Sequence, residues 1–217
     1  MKKILYITAN TKPEDQSSSK TVGRRVVDAL QGSGNAFVEE LDLYRVAMPQ
    51  LKHEYFTGRN TLVGPDVVAG LAPEDRQAVD EIAALCDDFV NADVVVLAAP
   101  MWSLSFPSVV KQYLDHIIIS GKTITFTDDK PVGLLSDRPR AFVYVQASGM
   151  HLPAFLRPLV NKGVTYTEDM VKSMGISNFF FLPVDGTGTT PEERREAVAA
   201  ATEKIETLTA RISAVFA

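Results

Sequence analysis

The chain has 217 residues, 46% hydrophobic and 23% charged, with a formal net charge of −5, the balance of an ordinary globular protein. No cluster of five or more basic residues appears, which excludes a nucleic-acid surface, and no run of about 18 apolar residues appears, which excludes a membrane-spanning helix. The single cysteine, Cys86, cannot form an intrachain disulfide and fits a reducing cytoplasm, the expected location.

The apolar run KILYITA (3–9) reads as a fully buried strand. It is too short for the core of a signal peptide. Helical periodicity follows over 18–31, with Val22, Val26, Ala29 and Leu30 on one side, and GSGN (32–35) ends it. AFVEELDL (36–43) is a second strand. Residues 44–72 show no clean period and read as an insertion, a place where binding loops and lids occur. Residues 74–90 form an amphipathic helix with Ala78, Ile82, Leu85 and Phe89 in its apolar stripe. ADVVVLAAP (92–100) is the clearest buried strand, its continuous valines pointing to a parallel strand covered on both faces. A helix over 107–118 carries Pro107 in its first turn. TITFT (123–127) alternates as a short strand within a long connection, RAFVYVQA (140–147) is another buried strand, and a helix over 160–174 stops at Gly175. SNFFFLPV (177–184) is the last strand. The final helix opens on Thr190 as N-cap, Pro191, and Glu193 for a capping box, and its pattern runs to about residue 214. Five buried strands alternating with helices indicate one α/β domain over 1–217, a doubly wound five-stranded parallel sheet with helices on both faces.

Open α/β sheets bind ligands beyond the carboxyl ends of their strands, where strand order reverses. Three strand ends are chemically unusual: TANTKPEDQSSSK, APMWSLSFP and VQASGMHLP. With strand order 2-1-3-4-5 all three are neighbours. Ser17, Ser18 and Ser19 stand at the mouth of the first helix, where unpaired N–H groups and the helix dipole favour an anion; capping alone needs one serine. There is no Gly-Lys-Ser/Thr ending and no G-x-G-x-x-G. The pattern therefore favours a mononucleotide whose phosphate is held largely by neutral donors. Trp102, the only tryptophan, offers a flat apolar wall, and Gly149 permits close approach of backbone to a planar ligand.

At PMWSLSFPSVVKQYLDHIIISGKTITFT (100–127) the chain resembles the FMN-dependent NADH:quinone oxidoreductases that also reduce azo dyes, the bacterial azoreductase family. KKILYITAN, the serine cluster, EDRQAVDEIAALCDDFVNADVVVLAAPMW and VQASGMH follow in the family's order, so the resemblance covers nearly the whole chain. It implies a flavodoxin-like fold, a homodimer, bound FMN, NADH or NADPH as electron donor, and quinones and azo compounds as acceptors. Matched by position, Asn10 and Ser17 to Ser19 would hold the FMN phosphate. Pro100, Met101, Trp102, Ser103 and Leu104 would line one edge of the isoalloxazine, and Gln146, Ala147, Ser148 and Gly149 would meet its pyrimidine edge. Phe126 falls where the family places an aromatic near the flavin. Ser103 stands where asparagine is common, and Ser148 where arginine or glycine is.

One stacking site used in turn by nicotinamide and acceptor implies ping-pong kinetics. His151, just past the fourth-strand loop, is a candidate proton or hydrogen-bond donor to the acceptor, and Tyr55 and Phe56 of the insertion are candidates to cover the flavin. His116 reads as structural, and with His53 and His151 it is too scattered for a metal site, so none is expected. The rival readings are a flavodoxin-type electron carrier with no substrate of its own and a binding module that has lost its cofactor.

Overall fold

Residues 1–32 and 34–217 are described by a computed structural model. In chain order the elements are β1 (Lys2–Thr8), α1 (Ser18–Gly32), β2 (Ala36–Asp42), β3 (Phe56–Gly58), β4 (Thr61–Leu62), α2 (Pro65–Gly70), α3 (Pro73–Asn91), β5 (Val94–Pro100), α4 (Ser108–Ile117), β6 (Ile124–Thr127), β7 (Lys130–Gly133), β8 (Ala141–Ser148), α5 (Arg157–Val160), α6 (Lys162–Ser173), β9 (Asn178–Asp185), α7 (Pro191–Thr202) and α8 (Ile205–Ala214). The five long strands form one parallel sheet in the order β2-β1-β5-β8-β9. This is the expected flavodoxin-like order.

Both faces of the sheet are buried, which is why its inner strands read as continuous apolar runs. Along β1, Ile4 and Tyr6 pack toward α1, α7 and α8, while Leu5 and Ile7 pack toward α3, α4 and α6. All seven residues of β5 are buried. The register sets Thr8 beside Ala98 and Pro100 beside Ala147, so β1, β5 and β8 finish at one level, and each hands its chain to a loop at the same edge.

The structure departs from the sequence reading in four places. The insertion is ordered: a turn at 53–55, the β3–β4 hairpin and α2 cover a second apolar face of α3, where Ala78, Val79, Ile82 and Cys86 pack with Tyr55, Val63 and Ile119. Pro107 is the N-cap of α4 and lies outside the helix. Residues 157–160 form a separate turn, because Asn161 caps α6 by accepting from Val164 N–H at 3.3 Å. The last helix is two. Lys204 N–H bonds back three residues to Ala201 O at 3.2 Å, tightening the chain between α7 and α8, while the apolar stripe Ala197, Ala201, Ile205, Leu208, Ile212 crosses the break uninterrupted. Cys86 donates to Ile117 O at 3.5 Å, and burial pushes its thiol up to about 12; it is a core residue. His116 lies between the carbonyls of Gln112 (2.6 Å) and Pro49 (2.7 Å), tying α4 to the insertion.

Candidate functional site

A cleft of about 510 Å³ opens at the carboxyl ends of β1, β5 and β8, within the size range of small-molecule sites. Of the residues singled out in the sequence, Asn10, Ser17, Ser18, Pro100, Met101, Trp102, Ala147 and Gly149 line it together. The three unusual strand ends therefore converge.

One wall is the mouth of α1. Ser17 caps the helix: its Oγ accepts from Lys20 N–H at 3.3 Å and from Asn10 Nδ2 at 3.0 Å. It also lies 3.3 Å from Ser19 Oγ. Asn10 Oδ1 in turn accepts from Lys12 N–H at 3.0 Å, which fixes the loop after β1. Ser19 is fully buried behind Ser17 and does not reach the cleft. The N–H groups of Ser18 and Ser19 are the first two of the helix and have no intrahelical acceptor by construction. Of the two, only Ser18 belongs to the cleft lining, and its free N–H at a helix mouth is a donor of the kind that suits an anion.

The β5 loop forms the opposite wall. Met101 N–H donates to Ala147 O at 2.7 Å, extending the β5–β8 pairing by one residue. Ser105 N–H returns to Trp102 O at 2.8 Å, closing a tight turn through Ser103 and Leu104. Both turn residues take the left-handed conformation, with φ of 50° and 61°. That is a strained choice without glycine, costing on the order of 1–3 kcal/mol each. Ser103 and Leu104 project to solvent beside the cleft, and neither lines it. Trp102 lines it and is 44% exposed.

At the β8 end, Ala147 and Gly149 face the cleft. Gln146 turns away: its amide nitrogen donates to Ser105 O (3.1 Å) and Tyr144 Oη (2.9 Å), and its oxygen accepts from Asn161. It therefore braces the β5 loop from behind. Ser148 is buried, its Oγ accepting from Met150 N–H at 3.3 Å and its carbonyl from Thr187 N–H at 3.0 Å.

The remaining wall was not read from the sequence. Thr187, Gly188, Thr189, Thr190, Pro191 and Arg194 line the cleft from the β9–α7 connection. Gly188 N–H donates to Gly149 O at 3.2 Å, stitching this loop to β8. The α7 capping box is present, and Glu193 Oε2 accepts from the N–H groups of Thr189 and Thr190, both at 2.9 Å. Those bonds hold the Glu193 carboxyl below its ordinary value. Arg194 reaches back to α1, its Nε on Ser18 Oγ at 3.2 Å and its Nη2 on Asp15 O at 2.6 Å. Lys12 is a second cation on the lining, and no carboxylate lines the cleft among the described residues. Cations therefore stand on the lining beside the neutral donors expected from the sequence.

Four candidates lie elsewhere. Tyr55 is 2% exposed in the insertion's core, its hydroxyl on Asp75 Oδ1 at 2.7 Å, and Phe56 packs beside it. Phe126 lies under the Arg59 guanidinium, 5.0 Å from ring centre to Cζ. His151 is exposed, and its ring fills the space where a Cβ on Gly186 would point, with Gly186 at φ +75°. None of the four lines the cleft. Among the described residues no group of three His, Cys, Asp or Glu side chains is placed to hold a metal, and no helix is long and apolar enough to cross a membrane.

The cleft brings together the Ser18 amide, two cations, Met101, Trp102 and the Ala147–Gly149 backbone. Comparison with known proteins shows the family. Residues 2–208 match a family model described as flavodoxin-like fold. The chain is 49% identical over 213 residues, 98% of its length and 100% of the other, to an FMN-dependent NADH:quinone oxidoreductase of Ruminiclostridium cellulolyticum. It is 32% identical to one from Geobacillus kaustophilus, over 96% of this chain and 98% of the other. Among solved structures, azoreductase from Bacillus anthracis str. Sterne superposes with a TM-score of 0.76 at 26% identity, covering 96% of this chain and 99% of that one. An FMN-dependent NADH-azoreductase from Bacillus anthracis str. Ames Ancestor, in complex with FMN, shares the fold with a TM-score of 0.81 at 23% identity, covering 98% and 99%. The chain belongs to the FMN-dependent NADH:quinone oxidoreductase family of flavodoxin-like fold.

Proposed function

We propose that this protein is an FMN-dependent oxidoreductase that passes hydride from NADH to quinones and azo compounds. The observation that carries this reading is the cleft itself, where an anion-accepting helix mouth faces an apolar wall across the ends of three adjacent strands. Bound FMN would supply the redox chemistry, hydride transfer between nicotinamide and acceptor.

The chain supplies placement. The Ser18 amide and hydroxyl, positioned by the Ser17–Asn10 contact at the helix mouth, would receive the phosphate. Met101 and Trp102 would border the ring system, and N–H donors of the Ala147–Gly149 backbone would stabilise negative charge at its polar edge. Buried Gln146, fixed by Ser105, Tyr144 and Asn161, acts as a brace. With one apolar wall beside the ring, donor and acceptor occupy the same position in turn. NADPH is a candidate donor along with NADH.

The expected result with purified protein is bound FMN and NADH-driven reduction of a benzoquinone and an azo dye. Double-reciprocal plots at several quinone concentrations should be parallel. Intersecting lines would replace alternation at one site with a ternary complex. Bound FMN without NADH oxidation would make the protein an electron carrier.

We also propose a homodimer in the cytoplasm. Trp102 and Leu104 are 44% and 48% exposed, and Met150, Phe155 and Leu159 are 55%, 77% and 68% exposed. The two loops that carry them adjoin, with Lys162 N–H on Leu104 O at 2.9 Å. An apolar patch beside the cleft fits the same patch on a second copy. Light scattering on a sizing column should give twice the 23.7 kDa chain mass, and Phe155→Glu with Leu159→Glu should give the single mass. A monomeric parent would remove the dimer.

A further inference from the structure

The C-terminal helix pair sends one side chain back to the mouth of the first helix. Arg194 is half-buried, lines the cleft, and touches only neutral acceptors: Ser18 Oγ at 3.2 Å, Asp15 O at 2.6 Å and Thr21 Oγ1 at 3.4 Å. By contrast, Arg24, Arg138, Arg140 and Arg157 each pair with a carboxylate. Among the described residues Arg194 has no such partner, and its Nη1 makes no hydrogen bond. Helix stability does not explain it either. Arg194 is the fourth residue of α7, near the positive end of the helix dipole, where a cation is disfavoured.

We propose that Arg194 is a phosphate-binding residue of the cofactor site, offering its Nη1 edge to the FMN phosphate while Nε orients Ser18. The proposal rests on the FMN reading above. Ser18 Oγ accepts from Nε, so its own hydrogen is left to donate into the cleft. The guanidinium therefore adds one charged donor directly and aims a second. Lys12, the other cation on the lining, is exposed and held through its backbone, at its N–H by Asn10 and at its carbonyl by Lys20 Nζ (3.2 Å). Arg194 is the better placed of the two. It makes the site selective for FMN over unphosphorylated riboflavin, and it couples loading of the cleft to docking of α7 against α1.

The test is flavin fluorescence titration of the apoprotein with FMN and with riboflavin, for the parent, Arg194→Gln and Arg194→Lys, with a thermal melt of each. Arg194→Gln should weaken FMN by about 10- to 100-fold, as expected for a lost charged hydrogen bond. Riboflavin should change less than about twofold, since it has no phosphate for the guanidinium to meet. Arg194→Lys should recover a large part of the FMN loss, since an ammonium serves a phosphate as a point charge. Equal weakening of both flavins would reduce Arg194 to a tether between helices and overturn the proposal, as would unchanged FMN affinity. A parent that binds neither flavin would overturn the flavin reading itself, and this assignment with it.

Discussion

Ser18→Asp should purify without flavin and yet melt no lower than the parent apoprotein. Ser18 is the first residue of α1 and is 8% exposed, on the cleft lining. Aspartate there meets the positive end of the helix dipole, a gain of about 0.3–1 kcal/mol. It also gives Arg194 Nε, now 3.2 Å from the serine oxygen, a carboxylate to pair with. Both changes favour the fold. For the cofactor the same charge is ruinous. A carboxylate about 4 Å from a phosphate is opposed by about 4 kcal/mol at an effective dielectric of 20, a donor hydroxyl is lost, and Arg194 is neutralised. FMN affinity should fall by a factor of several hundred, from about 3–4 kcal/mol. Ser18→Ala, which adds no charge, should cost about tenfold. The absorbance ratio at flavin and protein wavelengths, followed by titration with FMN, reads the first effect, and a thermal melt reads the second. Retention of FMN by Ser18→Asp would mean that the phosphate does not lie at this helix mouth.

That the helix mouth borders the cleft was readable for a physical reason. A cap requires one hydroxyl, and Ser17 meets that need alone; Ser19 is buried against it, which leaves Ser18, on the cleft lining, for something beyond the fold. The sheet was readable for a related reason. Strands covered on both faces carry nearly uninterrupted apolar runs, and strand order then forces their polar tails together. Arg194 left no such mark. Its neighbours Thr190, Pro191 and Glu193 already account for themselves as a helix start, and its contact with Ser18 spans 176 residues. Only the packing of α7 on α1 brings them together. Tyr55 misled in the opposite way: an aromatic in an irregular insertion suggests a lid, whereas α3 has a second apolar face to bury. Val79 and Cys86, lying off the Ala78–Ile82–Leu85–Phe89 stripe, were the available sign that this helix needed cover on two sides. The left-handed turn at Ser103 and Leu104 was hidden as well, because neither residue type favours that conformation.

The distance between α1 and the strand ends is set by one missing side chain, and Gly23→Val should show it. A Cβ on Gly23 would lie 2.8 Å from Ala98 Cβ and 2.9 Å from Tyr6 Oη. Neither neighbour can yield easily. Ala98 sits in the fully buried strand β5, and Tyr6 is completely buried with its hydroxyl donating to Lys20 O at 2.9 Å. Overpacking of this kind costs about 1–3 kcal/mol, and loss of the Tyr6 hydrogen bond adds about 1 kcal/mol. Valine's better helix propensity returns only about 0.5 kcal/mol. The variant should lose about 3 kcal/mol in urea denaturation with an unchanged slope. Gly23→Ala adds a single methyl and gains about 1 kcal/mol of propensity, so it should stay closer to the parent. The folded fraction of Gly23→Val should also bind FMN less tightly. α1 can relieve the clash only by moving off β1 and β5, and that motion carries Ser18 away from the loops that face it across the cleft. A Gly23→Val protein as stable as its parent, with FMN affinity intact, would show that the helix mouth is positioned by its loop and not by this close contact.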